Sequence, residues 1–260
     1  MKTIPFKKIK NISSMRKLAL GTWRTPTDPS VNVQLDLNIS ELKNVFGANF
    51  NRYLKVYIVK VMSKVLDEIP EINTILIRGK FRQRTNNRLF IPTMFRHNHQ
   101  VDLNGIYIDN AHLLSLDDLK KVWNEKISDL RSGNNKPTRR VIYLFKLLPS
   151  FLLKPVIQII DFIQYTCNIS LRYFGLPSDP FGSMTITFLD KFDVKYAAIP
   201  IFSFSRSAIT LAIGKPYVDN VEFLLPVTCT FDHRCFDGYE GAKAYQKIKK
   251  YFKSPELILN

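Results

Sequence analysis

The chain has 260 residues, of which 45% are hydrophobic and 23% are charged, and its formal net charge is +16. These values are typical of a globular protein with one large or two small domains, and no low-complexity tract or internal repeat is present. The positive charge predicts an acidic partner, such as a coenzyme with several phosphates, an acidic carrier protein, an anionic membrane or nucleic acid. Nucleic acid is disfavoured, because the sequence contains no helix-turn-helix, zinc-finger or ribonucleoprotein motif.

The cysteines and the N-terminus predict a cytoplasmic location. The sequence has three cysteines, Cys167, Cys229 and Cys235. This number is too small and odd for a disulfide framework, so a reducing compartment is expected. Residues 1–8 are positively charged, but no apolar segment follows them, so we expect no secretory signal.

The N-terminal half predicts helices alternating with strands. Capping residues at 11–14 precede a helical pattern that ends near Trp23. The alternation of apolar and polar residues over Ser30–Ile39 predicts a half-buried strand, and Asn51–Ile69 has the periodicity of a long amphipathic helix. The remaining predicted elements are a strand at Ile72–Ile77, a hairpin at Gly79–Ile91 around Asn86-Asn87, strands at Thr93–Val101 and Ile106–Ile108, and a helix at Leu116–Leu130 capped by Ser115.

Residues 139–176 are dense in leucine, isoleucine and phenylalanine. Pro149 and Pro155 are expected to break this segment, and its uncharged runs are too short to span a bilayer. We interpret it as a pair of helices packed on the core or at a subunit interface. The alternative is a hydrophobic lid or an element that contacts the inner surface of a membrane, because basic residues flank its apolar stretches.

The C-terminal third contains the most informative motif. Strands are predicted at Ser183–Phe188 and Ala208–Ile213, and another at 221–230 leads into the sequence Phe-Asp-His-Arg-Cys-Phe-Asp-Gly at 231–238. A helical pattern follows. A neutral histidine at a strand end, here His233, can accept a proton near pH 7. The alternative interpretation is a surface histidine followed by an aspartate, Asp237, that only caps a helix.

Other polar groups are weaker candidates. His97-Asn98-His99 places two imidazoles on one face of a strand, but no third ligand has suitable spacing, so no metal site is expected. Cys235 lies near His233 in sequence and is interpreted as an inert thiol. The basic residues of Lys80–Arg88 are interpreted as a solvated loop, with contact to an acidic carrier or to coenzyme phosphates as the alternative.

Six motifs, in order along the chain, resemble those of one enzyme family. They are Ser13–Lys17 (small-x-Met-Arg-Lys), Ile69–Asn73 (FPELN), Ser115-Leu116 (SL), Gly182–Thr187 (GGTFTIS), Ser207–Gly214 (QSAILGVG) and Asp232–Gly238 (DHRxxDG). This order is similar to that of the catalytic domain of the dihydrolipoamide acyltransferases of 2-oxo acid dehydrogenase complexes, and more distantly to chloramphenicol acetyltransferase.

The resemblance implies a single mixed α/β domain over residues 1–260, with a central sheet flanked by helices, that assembles as homotrimers with active sites between subunits. It further implies that His233 is the general base and that Thr187 donates a hydrogen bond to the tetrahedral intermediate. Asp237 would pair with Arg16 of the first helix. Asp232 and Gly238 complete the motif and support the site.

The implied reaction is the transfer of an acyl group from a thioester, most simply acyl-coenzyme A, to a thiol, hydroxyl or amine. A positioned histidine and a fixed hydrogen-bond donor meet the needs of this chemistry without a tightly bound cofactor. The alternatives are transfer from an acyl carrier protein to a lipid-like acceptor, and a non-catalytic trimeric assembly protein.

Three departures from the family pattern qualify the resemblance. No lipoyl domain is recognised, Phe188–Asp193 replaces a glycine-rich segment, and residues 139–176 are longer than the usual linker. We therefore expect a free-standing relative whose acceptor need not be dihydrolipoamide.

Overall fold

The computed structural model describes residues 28–77, 80–97, 100–132, 148–174, 176, 179–202 and 205–259. The predicted first helix and Arg16 lie outside these residues. The helices and strands are β1 (Ser30–Asn38), α1 (Ser40–Phe46), α2 (Phe50–Glu68), β2 (Thr74–Ile77), β3 (Lys80–Gln83), β4 (Arg88–His97), β5 (Gln100–Asp109), α3 (Leu116–Ser132), α4 (Ser150–Asp161), a π-helical turn (Phe162–Thr166), β6 (Met184–Phe188), β7 (Ile209–Ile213), β8 (Tyr217–Asp219), β9 (Glu222–Asp232), α5 (Gly238–Lys253) and α6 (Glu256–Leu259).

The main sheet is mixed, as predicted. Its strand order is β1-β9-β7-β6-β4-β5, and β8 pairs with β9 beside this path. Strand β6 is parallel to both β4 and β7, whereas the other neighbours are antiparallel. Strands β2 and β3 form a separate two-stranded sheet.

Helix α2 lies at the centre of the hydrophobic core. Its apolar residues recur at helical spacing, and Tyr57, Ile58 and Met62 are at most 1% exposed. The Tyr57 hydroxyl also donates a 2.6 Å hydrogen bond to the carbonyl oxygen of Tyr251 in α5, which links the two helices. The two helices and the inward residues of the sheet form one apolar cluster, which holds α5 and the end of β9 in place.

The other face of the central strands carries threonines. Met184 and Ile186 belong to the core cluster, so Thr185 and Thr187, which alternate with them along β6, point to the opposite face. The same alternation places Thr210 of β7 there. It also places Thr228 and Thr230 of β9 on this face, where both are at most 2% exposed. The sheet therefore has an apolar inner face and a polar but largely buried outer face.

The predicted hairpin around Asn86-Asn87 is wrong. Strand β3 pairs with β2, whereas β4 pairs with β5 and β6 in the main sheet. Asn87 is 5% exposed. Its side chain donates to the Ser63 carbonyl and accepts a 2.8 Å hydrogen bond from Asn73. An asparagine pair that resembled a turn is thus a buried polar link between the two sheets and α2.

Two further expectations need correction. The predicted single strand at Thr93–Val101 is two strands, because β4 ends at His97 and β5 begins at Gln100, opposite it. Asn98 and His99 lie outside the described residues. Pro155 does not break its segment, since α4 runs through it. The amide that proline lacks would have bonded to the carbonyl of Phe151, an exposed residue, so this bond is lost at the surface of the protein.

Candidate active site

The turn after β9 is held from both sides. We call residues 232–238 the catalytic turn, because the family resemblance predicts that His233 within it is the general base. The backbone amide of His233 donates to the carbonyl of Pro29 (3.1 Å), and that of Cys235 donates to the carbonyl of Asp232 (2.9 Å). The buried Phe236 ring stacks on Phe231, with 4.8 Å between ring centroids. These contacts fix the backbone while the His233 side chain remains exposed.

Asp232 shapes the first half of the turn. It is 8% exposed. Its carboxylate accepts hydrogen bonds from the Arg234 backbone amide (2.9 Å) and from Nη2 of the same residue (2.7 Å). Burial works to raise the pKa of Asp232, but these bonds outweigh it and hold the pKa below its usual value. The role of Asp232 as a support of the site stays a prediction, and Arg234 is a partner that the motif alone did not assign.

Asp237 closes the second half of the turn as the N-cap of α5. Its carboxylate accepts a 2.8 Å hydrogen bond from the Tyr239 amide, and Glu240 reaches back to the Asp237 amide at 3.3 Å, which completes a capping box. The bond from Tyr239 lowers the pKa of Asp237, and the nearby His233 ring lowers it further. Gly238 follows as the first residue of the helix. The predicted Asp237–Arg16 pair stays a prediction.

The two cysteines close to His233 in sequence, Cys229 and Cys235, both have raised pKa values. Burial raises the pKa of Cys235 to about 11 and that of Cys229 to about 12. A thiolate is the reactive form of cysteine, so neither residue has the electrostatic environment of a nucleophile.

Thr187 lies on β6, on the outer face of the sheet. Gly182 leads into this strand with a φ of +62°, and a Cβ there would lie 2.5 Å from the carbonyl oxygen of Arg88, so the tight approach to β4 requires glycine. Thr187 is half-buried.

One copy of the chain does not bring Thr187 and His233 together. In register, Thr187 is opposite Ala212, and Ala212 is opposite Thr228. His233 lies five residues beyond Thr228, which corresponds to about 17 Å along the strand and about 10 Å across two strand spacings. The two groups therefore lie at opposite ends of the sheet, far beyond the reach of one carbonyl group.

Two polar groups that the sequence did not reveal lie on the outer face of the sheet: Thr228 is in the row of Thr187, and Asp36 of β1 is opposite Pro226, two positions from that row. The Thr228 hydroxyl and Oδ1 of Asp36 are buried without a hydrogen-bond partner among the described residues. The other oxygen of Asp36 accepts a 2.6 Å hydrogen bond from Tyr196, and this bond raises the pKa of the Tyr196 phenol. The only sequence signal was the alternation of polar residues with apolar ones along β1 and β9.

An apolar cavity lies behind the catalytic turn. Its volume is about 500 Å³, and it lies between α5 and the inner face of the sheet, partly open to solvent. Phe231 and Phe236, whose rings stack on each other, form part of its wall, and Leu35, Leu211 and Ala242 also line it. A cavity of this size and character can hold an apolar ligand.

Comparison with known proteins confirms the family resemblance that the sequence predicted. Residues 181–260, which include β6, β7, β9 and the catalytic turn, match the family model described as 2-oxoacid dehydrogenases acyltransferase (catalytic domain). The dihydrolipoyllysine-residue acetyltransferase component of the pyruvate dehydrogenase complex of Buchnera aphidicola is 22% identical over 256 residues, which cover 94% of this chain and 53% of that protein. The chain thus spans about half the length of this curated relative.

Solved structures confirm the predicted fold. The dihydrolipoamide acetyltransferase of Azotobacter vinelandii, studied for the role of a serine, a histidine and an asparagine in its catalytic mechanism, has a TM-score of 0.61. It is 16% identical, and the match covers 100% of both chains. A chloramphenicol acetyltransferase has a TM-score of 0.51 at 13% identity, covering 86% of this chain and 89% of that one. The fold is chloramphenicol acetyltransferase-like.

Proposed function

We propose that the protein is an acyltransferase that moves an acyl group from a thioester, most simply acyl-coenzyme A, to a thiol, hydroxyl or amine, with His233 as general base. The observation that carries this proposal is the exposed imidazole on a rigid turn within the segment that matches the family model. In the Azotobacter enzyme the histidine and asparagine studied are four positions apart, as are His233 and Asp237 here. Residues 1–260 would form one catalytic domain.

In the proposed reaction, the His233 imidazole removes the proton of the acceptor while the acceptor's lone pair attacks the thioester carbonyl carbon. The carbonyl electron pair moves onto oxygen, and the Thr187 hydroxyl donates a hydrogen bond to the resulting oxyanion. When the intermediate collapses, the carbon–sulfur bond breaks. The imidazolium then returns the proton to the departing sulfur, so His233 ends neutral. Acyl-coenzyme A is a substrate and free coenzyme A is a product in this scheme, and no tightly bound cofactor takes part.

The separation of Thr187 from His233 supports a site shared between copies. Within one copy the two groups are about 17 Å apart along the strands alone. An oxyanion needs its donor within about 3 Å. We therefore propose that the site combines His233 of one copy with Thr187 of a second copy in a homotrimer, as the family resemblance implies.

Mixing two inactive variants tests this proposal. His233→Ala and Thr187→Ala would each be purified, unfolded together in denaturant and refolded, so that copies assort at random. An interface regains both groups only when it takes His233 from a Thr187→Ala copy and Thr187 from a His233→Ala copy. Random assortment in a cyclic trimer restores about a quarter of the wild-type sites. The thiol released from acetyl-coenzyme A would be followed with a panel of acceptors.

The experiment has four informative outcomes. Recovery of activity supports the shared site, provided that a wild-type control also regains activity after the same treatment. No recovery in an otherwise refolded mixture contradicts a site built from two copies. If neither single variant loses activity, His233 and Thr187 are not the catalytic groups. If the wild type consumes no donor, the non-catalytic assembly protein becomes the better interpretation.

A second candidate function is acyl transfer from a carrier protein to a lipid-like acceptor. The apolar cavity of about 500 Å³ behind Phe231 favours it, because this volume suits a hydrocarbon chain better than an acetyl group. The net charge of +16 also suits an acidic carrier protein. A series of acyl-coenzyme A donors separates the two candidates, since a chain-binding cavity predicts a kcat/KM that rises with chain length. Substitution of Ala242 by Leu, which would fill the cavity, should then reduce the preference for long chains.

A further inference from the structure

We propose that helix α4 binds the surface of an anionic lipid membrane through its outward face. Phe151 and Ile159 of α4 are eight positions apart, a little over two helical turns, and Phe162 follows three positions later at the start of the π-helical turn, so the three side chains lie on one side and form a single stripe. Phe151 is 77% exposed, Ile159 58% and Phe162 56%. None of the 12 residues of α4 is buried. Single exposed apolar residues are ordinary on a protein surface, but an aligned stripe of three large ones indicates a binding surface.

The inward face of the same segment is firmly attached, so the stripe does not reflect a loose helix. Asp161 at the end of α4 pairs with Arg206, whose Nε donates to it at 3.0 Å. Tyr165 of the π-helical turn is buried, and its hydroxyl donates to Asp179 (3.4 Å). Asp179 also binds Arg84, which is only 4% exposed, at 2.8 Å. These contacts set the orientation of α4 and leave the stripe directed to solvent.

Charge identifies the partner. Between residues 133 and 178 the sequence has one acidic residue, Asp161, and six basic residues. The basic residues are Lys136, Arg139, Arg140, Lys146, Lys154 and Arg172. The acidic one is neutralised internally by Arg206. Apolar side chains flanked by excess positive charge are the combination that binds the boundary between anionic headgroups and acyl chains.

Exposed aromatic residues extend the apolar character of this segment beyond α4. Tyr173 is 96% exposed and Phe174 71%. Aromatic side chains are enriched at the interface between water and lipid. Among the described residues, no helix has both the length and the apolar composition required to cross a bilayer.

Pairing of this face with the same face of a second copy is less favourable than its contact with a membrane. Each copy carries a net charge of +16, and the sequence before and after the stripe is predominantly basic. Two such faces would bring like charges together, whereas anionic lipid would bring opposite charges together. The proposal concerns the outward face of α4 and does not depend on the acyltransferase activity.

Vesicle binding tests the proposal directly. The purified full chain would be sedimented with vesicles of phosphatidylcholine mixed with phosphatidylglycerol, and with vesicles of phosphatidylcholine alone. We expect binding to the mixed vesicles that weakens as salt is added. The double variant Phe151→Glu/Phe162→Glu should lower the partition coefficient about tenfold or more, since it replaces two apolar anchors with negative charges. The matched control is Val221→Glu, which alters a 95% exposed apolar residue between β8 and β9 and should leave binding unchanged.

Three results would overturn the proposal. The first is no binding of the wild-type chain to the mixed vesicles. The second is equal binding by the double variant, given that its thermal unfolding matches that of the wild type. The third is a double variant that has a lower oligomeric mass than the wild type by light scattering but binds vesicles equally well. The stripe would then be a contact between copies.

Discussion

The catalytic turn with α5 and the segment with α4 contain helices of similar length but opposite environments. Helix α5 buries Ala244, Tyr251 and Phe252 in the core and exposes lysines on its other side. Helix α4 has apolar residues on both sides and buries none of them completely. Part of the apolar surface of α4 is therefore not covered by other residues of the described chain. The comparison teaches that periodicity predicts a helix, whereas what covers each face decides its function.

The largest expected effect concerns the catalytic turn, where substitutions of His233 and Cys235 should affect turnover very differently. His233→Ala should lower turnover by about 10²-fold or more, because proton transfer is lost, while the fold remains intact. Cys235→Ala should retain nearly full turnover, since burial raises the pKa of this thiol to about 11 and leaves it protonated. Thiol-release assays of both variants would check this. An inactive Cys235→Ala variant with an active His233→Ala variant would reverse the assignment.

The next prediction concerns how the α4 segment is attached. Arg206→Ala leaves Asp161 in a site where its side chain is 21% exposed. Loss of one partner from a fully buried pair costs about 3–5 kcal/mol, and partial exposure reduces the expected loss here to about 2 kcal/mol in the free energy of unfolding. Urea unfolding would measure it, with the exposed Lys154→Ala on the same helix as a control that changes little. A double-mutant cycle with Asp161→Asn should show strong coupling, and additive effects would disprove the attachment.

Two substitutions of Asp237 distinguish the effect of its charge from the effect of its helix cap. Asp237→Asn keeps an N-cap side chain but loses the charge beside His233, so activity should fall by up to about tenfold with little change in Tm. Asp237→Ala should lower both activity and Tm. Because the folded pKa of Asp237 lies below 3.8, the stability that its carboxylate contributes is present above that value and is lost as pH falls through the lowered pKa. Acid titration of Tm should show this loss in the wild type and not in Asp237→Asn.

The smallest effect compares two threonines on one face of β9. The Thr230 hydroxyl donates a 2.6 Å hydrogen bond to Asn32, whereas the Thr228 hydroxyl has no partner among the described residues. Thr230→Val should therefore destabilise the fold by about 1 kcal/mol, and Thr228→Val should be neutral or slightly stabilising. Urea unfolding of both variants would detect the difference. Equal destabilisation would mean that Thr228 has a partner in the assembled protein.

Local patterns predicted most of the secondary structure. The alternation in Ser30–Ile39 and the helical spacing in Asn51–Ile69 each matched an element within a residue or two. The Asp-His-Arg motif correctly marked a strand end followed by a helix, and Ser115 caps α3 by accepting from the Asp118 amide at 3.1 Å. These features depend on contacts within a few residues, which a sequence displays directly.

Features that depend on distant contacts could not be predicted. The buried role of Asn87 depends on Asn73 and Ser63, and nothing in the local sequence distinguishes it from a turn asparagine. Likewise, the motifs identified Thr187 and His233 as candidate site residues but did not predict the distance between them within one copy. This distance follows from the register of three strands. The pairing of Asp161 with Arg206 joins positions 45 residues apart for the same reason.

The placement of Thr187 and His233 at opposite ends of the sheet has a consequence for mass action. A site completed by a neighbouring copy exists only in the associated state, so specific activity should fall on dilution below the dissociation constant of the assembly. A ligand that binds across two copies would in turn hold them together. At a concentration 100-fold above its own Kd, such a ligand adds about 2.7 kcal/mol to the stability of the associated state. Saturating substrate would thereby preserve the enzyme at concentrations where the free chains separate.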